Sequence, residues 1–62
     1  MRYFLAKNDK QLGICLRMLY AEGIQGIVET CVNSKDKIEF RIKINEASKF
    51  EKLNKLYETL IS

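Results

Sequence analysis

The chain has 62 residues, 47% of them apolar, and eleven basic against eight acidic side chains give it a net charge of +3. That length holds one domain, residues 1–62, which buries only about 60% of the surface its unfolded form exposes. Two cysteines and no histidine exclude a disulfide framework and a zinc set, and no apolar run reaches the ~20 residues of a membrane span.

Arg2 to Lys7 reads as the first strand, with Tyr3 and Phe4 between flanking cations. Its parity is open, because Tyr3/Leu5 and Phe4/Ala6 are both apolar pairs. Asn8 and Asp9 are candidate N-caps for the first helix. Leu12, Cys15, Leu16 and Leu19 then recur at i, i+3, i+4 and i+7, the core stripe of an amphipathic helix. Ile14, Met18 and Ala21 form a second apolar stripe. Gly13 weakens the helix by about 1 kcal/mol against alanine and would allow close packing on a sheet. Gly23, just past Glu22, suits the left-handed position that ends a helix.

Ile24 to Val32 reads as the second strand. Ile24, Gly26, Val28, Thr30 and Val32 form its predicted core face, and Gln25, Ile27, Glu29 and Cys31 its outer face. A bulge at Gly26 would alter the parity before it. Asn33-Ser34-Lys35-Asp36-Lys37 is rich in turn formers and reads as a hairpin loop. Ile38 to Ile44 follows with an unbroken alternation of apolar and charged residues, the mark of a half-buried strand. Its predicted inner face is Ile38, Phe40, Ile42 and Ile44; Glu39, Arg41 and Lys43 face outward. Asn45 is the predicted cap of a second helix that runs almost to the C-terminus. Phe50, Leu53, Tyr57, Leu60 and Ile61 form its apolar side.

The order β-α-β-β-α predicts a two-layer α+β sandwich. A right-handed crossover puts the first helix on one face of the sheet, and the second helix returns over the same face. The strand with the cleanest alternation belongs in the middle, giving the order 1-3-2. This arrangement resembles a ferredoxin-like fold lacking its last strand. The resemblance implies an open edge at strand 1, where that last strand would pair. Ala21-Glu22-Gly23-Ile24 is similar over four residues to the acid-bearing joint of LAGLIDADG homing endonucleases. Glu22 has no second acid beside it in sequence, and the joint reads as a helix terminus with its glycine.

Catalysis is not expected. There is no histidine for near-neutral proton transfer, and Gly13, Gly23 and Gly26 match no phosphate-binding loop. Cys15 lies on the core stripe, and both cysteines read as reduced, structural thiols in a cytoplasmic protein. No cofactor or metal is implied. The expected role is a non-enzymatic binding module or inhibitor that occupies a surface of another protein. Its candidate contact residues are Tyr3, Ile14, Met18, Ile27, Glu29, Cys31, Glu39, Arg41 and Lys43. The expectation extends to a phage or mobile-element inhibitor of host defence, such as an anti-CRISPR, and alternatively to a small bacterial regulatory domain. A homodimer would supply stability that a chain of this size lacks. The other alternative is nucleic-acid binding through Lys35, Lys37, Arg41 and Lys43, with Tyr3 stacking on a base.

Overall fold

The computed structural model describes residues 2–62 and contains β1 (Phe4–Ala6), α1 (Asp9–Ala21), β2 (Ile27–Val32), β3 (Ile38–Lys43) and α2 (Ala47–Ile61). The sheet order is β1-β3-β2, and both pairings with the central β3 are antiparallel. The expected architecture is therefore the observed one, an α+β sandwich with the topology of a ferredoxin-like fold short of its last strand.

The open parity of strand 1 is resolved by its pairing. Phe4 lies opposite Ile42 and Ala6 opposite Phe40, so these residues face the helices and Leu5 faces away. Phe4 is held by α2, with its ring 4.7 Å from that of Phe50 and edge-on to Tyr57 at 5.9 Å. Such aromatic pairs contribute about 0.5–1.5 kcal/mol beyond area burial. Cys15, Met18, Leu19, Ile24, Ile42 and Leu53 complete the buried core, with Leu12, Ile14, Leu16, Phe40, Ile44 and Ile61 packed against it.

Helix α1 begins where its sequence directs. Asn8 is extended, and its Oδ1 accepts from the Gln11 N–H at 2.9 Å. Gln11 reaches back in turn, its Oε1 accepting from the Lys7 N–H at 3.0 Å. One amide of the first helical turn, Gln11, and the Lys7 amide just before the cap are satisfied by this exchange, which is akin to a capping box. At the other end Gly23 has φ +70°. The Gly23 N–H donates to Tyr20 O and the Ile24 N–H to Leu19 O, which is the Schellman arrangement. Ile24 is buried against the helix end and belongs to this cap rather than to the strand. Hence β2 begins at Ile27 and not at Ile24.

Other boundaries also shorten. The first strand spans Phe4–Ala6 rather than Arg2 to Lys7, and β3 ends at Lys43 rather than Ile44. Asn45 does not cap α2. The N-cap is Glu46, which makes no side-chain bond to the helix backbone; its carboxylate pairs with Lys49 at 3.3 Å. The predicted apolar side of α2 is buried at Phe50, Leu53 and Tyr57 but exposed at Leu60.

The larger difference lies on the helix side of the sheet. Val28, Thr30 and Val32 share a face with Ile42, Phe40 and Ile38, their partners in the ladder, as their alternation predicts. The helices do not reach that far. Phe4, Ala6 and Ile42 are 0% exposed, whereas Val28 is 41%, Ile38 57% and Val32 64% exposed. Two helices cover β1 and the near part of β3, and the β2 side projects beyond them.

Candidate interaction surfaces

The sheet face opposite the helices gathers most of the predicted contact residues. Across the ladder Leu5, Arg41 and Glu29 stand in one row, Glu39 faces Cys31, and Lys43 faces Ile27. Arg41 lies over the ring of Tyr3, 4.8 Å from its centroid, a cation–π contact. Lys43 Nζ reaches diagonally to Glu29 Oε1 at 2.8 Å. The Cys31 thiol donates to Glu39 O at 3.5 Å. Tyr3, Ile27, Glu29, Cys31, Glu39, Arg41 and Lys43 thus form one continuous patch. Its charges are mixed in sign, its ring and guanidinium are already stacked, and Ile27 is 54% exposed.

Ile14 and Met18 are not part of this patch. Met18 is buried and Ile14 is packed against the core. Of the second stripe of α1, Met18 thus faces inward and Ile14 partly so, as expected when two neighbouring helices widen the buried arc, while Ala21 is exposed. Strand 1 is the expected edge of the sheet, but it is short and partly occupied. It has only three residues, and the Tyr57 hydroxyl donates to Leu5 O at 2.7 Å. With the Lys7 N–H donating to Gln11, two outward backbone groups at this edge, Leu5 C=O and Lys7 N–H, are taken by helix side chains.

The two cysteines differ in setting. Cys15 is fully buried, and burial pushes its thiol up to about 11, so it stays protonated and packs as a small apolar group. Tyr57 is pushed up to about 12, by its own burial first and by Cys15 second. Cys31 is half-buried on the sheet face.

Lys35 and Lys37 sit at the hairpin end and, with Lys7, Asn33, Ser34 and Glu39, line a shallow cleft. Asn33 Oδ1 accepts from the backbone N–H groups of both Lys35 and Lys37, shaping the turn. The four predicted phosphate-contacting cations are therefore split. Lys35 and Lys37 project from the hairpin, while Arg41 is stacked on Tyr3 and Lys43 is paired with Glu29.

The feature that sequence reasoning assigned to the core is the β2 edge. All residues of Ile27–Val32 except Cys31 are exposed. Asn33 N–H donates to Lys37 O at 2.9 Å, one step beyond the Val32–Ile38 pair. Bonded and non-bonded pairs alternate along an antiparallel ladder. Ile27, Glu29 and Cys31 therefore exchange bonds with β3, and the N–H and C=O groups of Val28, Thr30 and Val32 point to the free side. The order 1-3-2 carried the signal, since it makes strand 2 an edge. No helix among the described residues is long and apolar enough to cross a membrane. Comparison with protein-family models, curated proteins and solved structures gave no significant match.

Proposed function

We propose that this protein is a non-enzymatic binding module that works in the cytoplasm by covering a surface of another protein. The observation that carries this reading is the mixed patch on the open sheet face, organised by the Arg41–Tyr3 stack and the Lys43–Glu29 pair. Arginine and tyrosine are the side chains that most often dominate binding energy in protein interfaces. Mixed signs suit a partner with complementary charges better than a uniform polyanion. The cytoplasmic assignment is supported by two free thiols, one of them in the core. A small chain that binds and does not turn over substrate fits an inhibitor, including one made by a phage or mobile element against host defence. It equally fits a regulatory domain acting as a homodimer.

Capture from native cells with the wild type and with a Tyr3→Ala/Arg41→Glu variant tests the reading. A partner should be retained by the wild type and by Lys35→Glu/Lys37→Glu, and lost about tenfold or more by the sheet-face variant. Identical capture by every variant would refute the assignment of the face. The nucleic-acid alternative draws on Lys7, Lys35 and Lys37 at the hairpin cleft. It would replace this reading if DNA or RNA binding near physiological salt fell with rising ionic strength and was lost on Lys35→Glu/Lys37→Glu.

A further inference from the structure

We infer that the free edge of β2 pairs antiparallel with β2 of a second copy of this chain, on a two-fold axis through Thr30, joining two three-stranded sheets into one of six. The inference rests on the dimer part of the reading above and specifies its contact; it does not depend on what the sheet face binds.

The edge lacks the devices that normally prevent such pairing. Natural edge strands are blunted by lysine, proline, bulges, brevity or a covering element. Segment Ile27–Val32 contains none of these residues, carries one charge, Glu29, and pairs without interruption with β3. The opposite edge is treated differently, being short and capped through Tyr57 and Gln11. The β2 side is therefore the longer and less obstructed edge for a second strand to join.

The register follows from symmetry. A two-fold axis perpendicular to the sheet relates antiparallel strands and keeps the helices of both copies on one side. Paired residues then share a face, so the axis must pass through a residue position. An axis through Glu29 sets two like charges directly opposite, which is destabilising. An axis through Cys31 leaves Val28 opposite the hairpin residue Ser34 of the other copy, outside the strand. An axis through Thr30 uses all three outward-facing residues: Val28 against Val32 of the second copy, Thr30 against Thr30, and Val32 against Val28. Valine–valine and threonine–threonine pairs are favourable cross-strand neighbours. Val28 and Val32, left uncovered by the helices, gain lateral contacts. On the other side Glu29 faces Cys31, and the two sheet-face patches become one continuous surface with each element present twice.

Sedimentation equilibrium or light scattering over roughly 1–500 µM, with amide hydrogen exchange, tests this. The wild type should be a dimer, and the amides of Val28, Thr30 and Val32 should be slowed at least tenfold in the dimer relative to dilute monomer. Val28→Lys/Val32→Lys sets lysine against lysine at both outer pairs and should raise the dissociation constant at least tenfold. Val28→Glu/Val32→Lys places opposite charges at those same pairs and should restore the dimer. That rescue is specific to the Thr30 axis. Both variants are at exposed positions, and a thermal melt confirms that each is folded. A monomer throughout the range, a dimer indifferent to both variants, or failure of the charge-swapped variant to rescue would overturn the inference. Protection of these amides only when another protein is added would mean that the edge takes a foreign strand instead. Tyr3→Ala/Arg41→Glu should leave the dimer intact, which separates failure of the edge from failure of the sheet face.

Discussion

Gly26 and Gly13 make a paired test of the packing, because the same substitution has opposite expected signs. A Cβ added at Gly26 would lie 2.8 Å from Ile42 Cγ2 and 2.9 Å from Leu19 Cδ1. Carbon atoms in good contact sit at about 3.5–4.0 Å, so the methyl intrudes by well over half an ångström on two neighbours at once. Ile42 is 0% and Leu19 1% exposed, which leaves neither a free direction to move. Overpacking of this kind costs about 1–3 kcal/mol. The lower chain entropy of alanine in the unfolded state offsets about 0.4–1 kcal/mol. Gly26→Ala should therefore destabilise by about 1–2 kcal/mol, and for a domain of this size the melting temperature should fall by roughly 5–15 °C. At Gly13 the same atom would meet only Arg17 Nη2, at 3.7 Å, an ordinary contact. Gly13→Ala should stabilise by about 0.5–1 kcal/mol through helix propensity alone. Urea and thermal melts of both variants, at fixed protein concentration because association shifts the midpoint, provide the check. A neutral or stabilising Gly26→Ala would refute the close approach of the Gly26 backbone to Ile42 and Leu19. A destabilising Gly13→Ala would place a packing partner on that side of α1.

Further predictions concern the helix–edge contact, the turn and alkaline pH. Tyr57→Phe removes the hydrogen bond to Leu5 O and should cost about 1 kcal/mol in urea unfolding, while amide exchange along β1 accelerates; unchanged exchange would deny the capping role. Cys15 and Tyr57 both have folded-state values raised above their ordinary ones, to about 11 and about 12. Their protonated forms are favoured by folding, so their contribution is fully present below pH 9 and is lost as pH rises from 9 toward 12. Stability should fall by up to ~1.4 kcal/mol per pH unit for each group while it titrates, and Tyr57→Phe should flatten the upper part of that profile. Asp36 has φ +59° at the position after a type I turn that usually carries glycine. Asp36→Gly relieves ~1 kcal/mol of left-handed strain, less the added freedom of the unfolded chain, for a net gain of about 0.5 kcal/mol in a chemical melt.

The elements and their order were legible because each is written in local pattern. The Ile38–Lys43 alternation has a single reading, and Asn8, Gly23 and the Asn33–Lys37 turn act through bonds within a few residues. What escaped was set by distances between elements. Nothing near Val28 or Val32 in sequence says that two helices of thirteen and fifteen residues end their cover at β3. The alternation of strand 2 gave the correct face, but a face can point toward the helix layer and still lie beyond it. Met18 failed in the opposite sense. Its stripe reads as surplus on an isolated helix and becomes buried once α2 is beside α1. Glu46 rather than Asn45 is the N-cap and makes no side-chain cap bond, so residue preference does not fix where this helix starts.

The two ends of the sheet are explained by the same shortfall of cover. Helix α2 is used at β1, where Phe50 and Tyr57 clamp Phe4 and the Tyr57 hydroxyl takes the Leu5 carbonyl. Those contacts occupy part of the edge where a ferredoxin-like fold would add its last strand, and the helix cover lies toward that side. The cost appears at β2, which is left with exposed valines on one face, Ile27 on the other and free backbone groups between them. In a larger protein another helix or strand would cover this side. Among the described residues no element lies over this side, and an added helix would have to offset about 1–2 kcal/mol of backbone entropy per residue. In the pairing inferred above, a second copy would supply a strand of equal length and matching pattern. The sheet face, meanwhile, stays open on both copies. If the inferred pairing holds, partial closure of β1 by α2 and completion of β2 by a second copy are independent, and a variant that loosens the first, such as Tyr57→Phe, should leave the second unaffected.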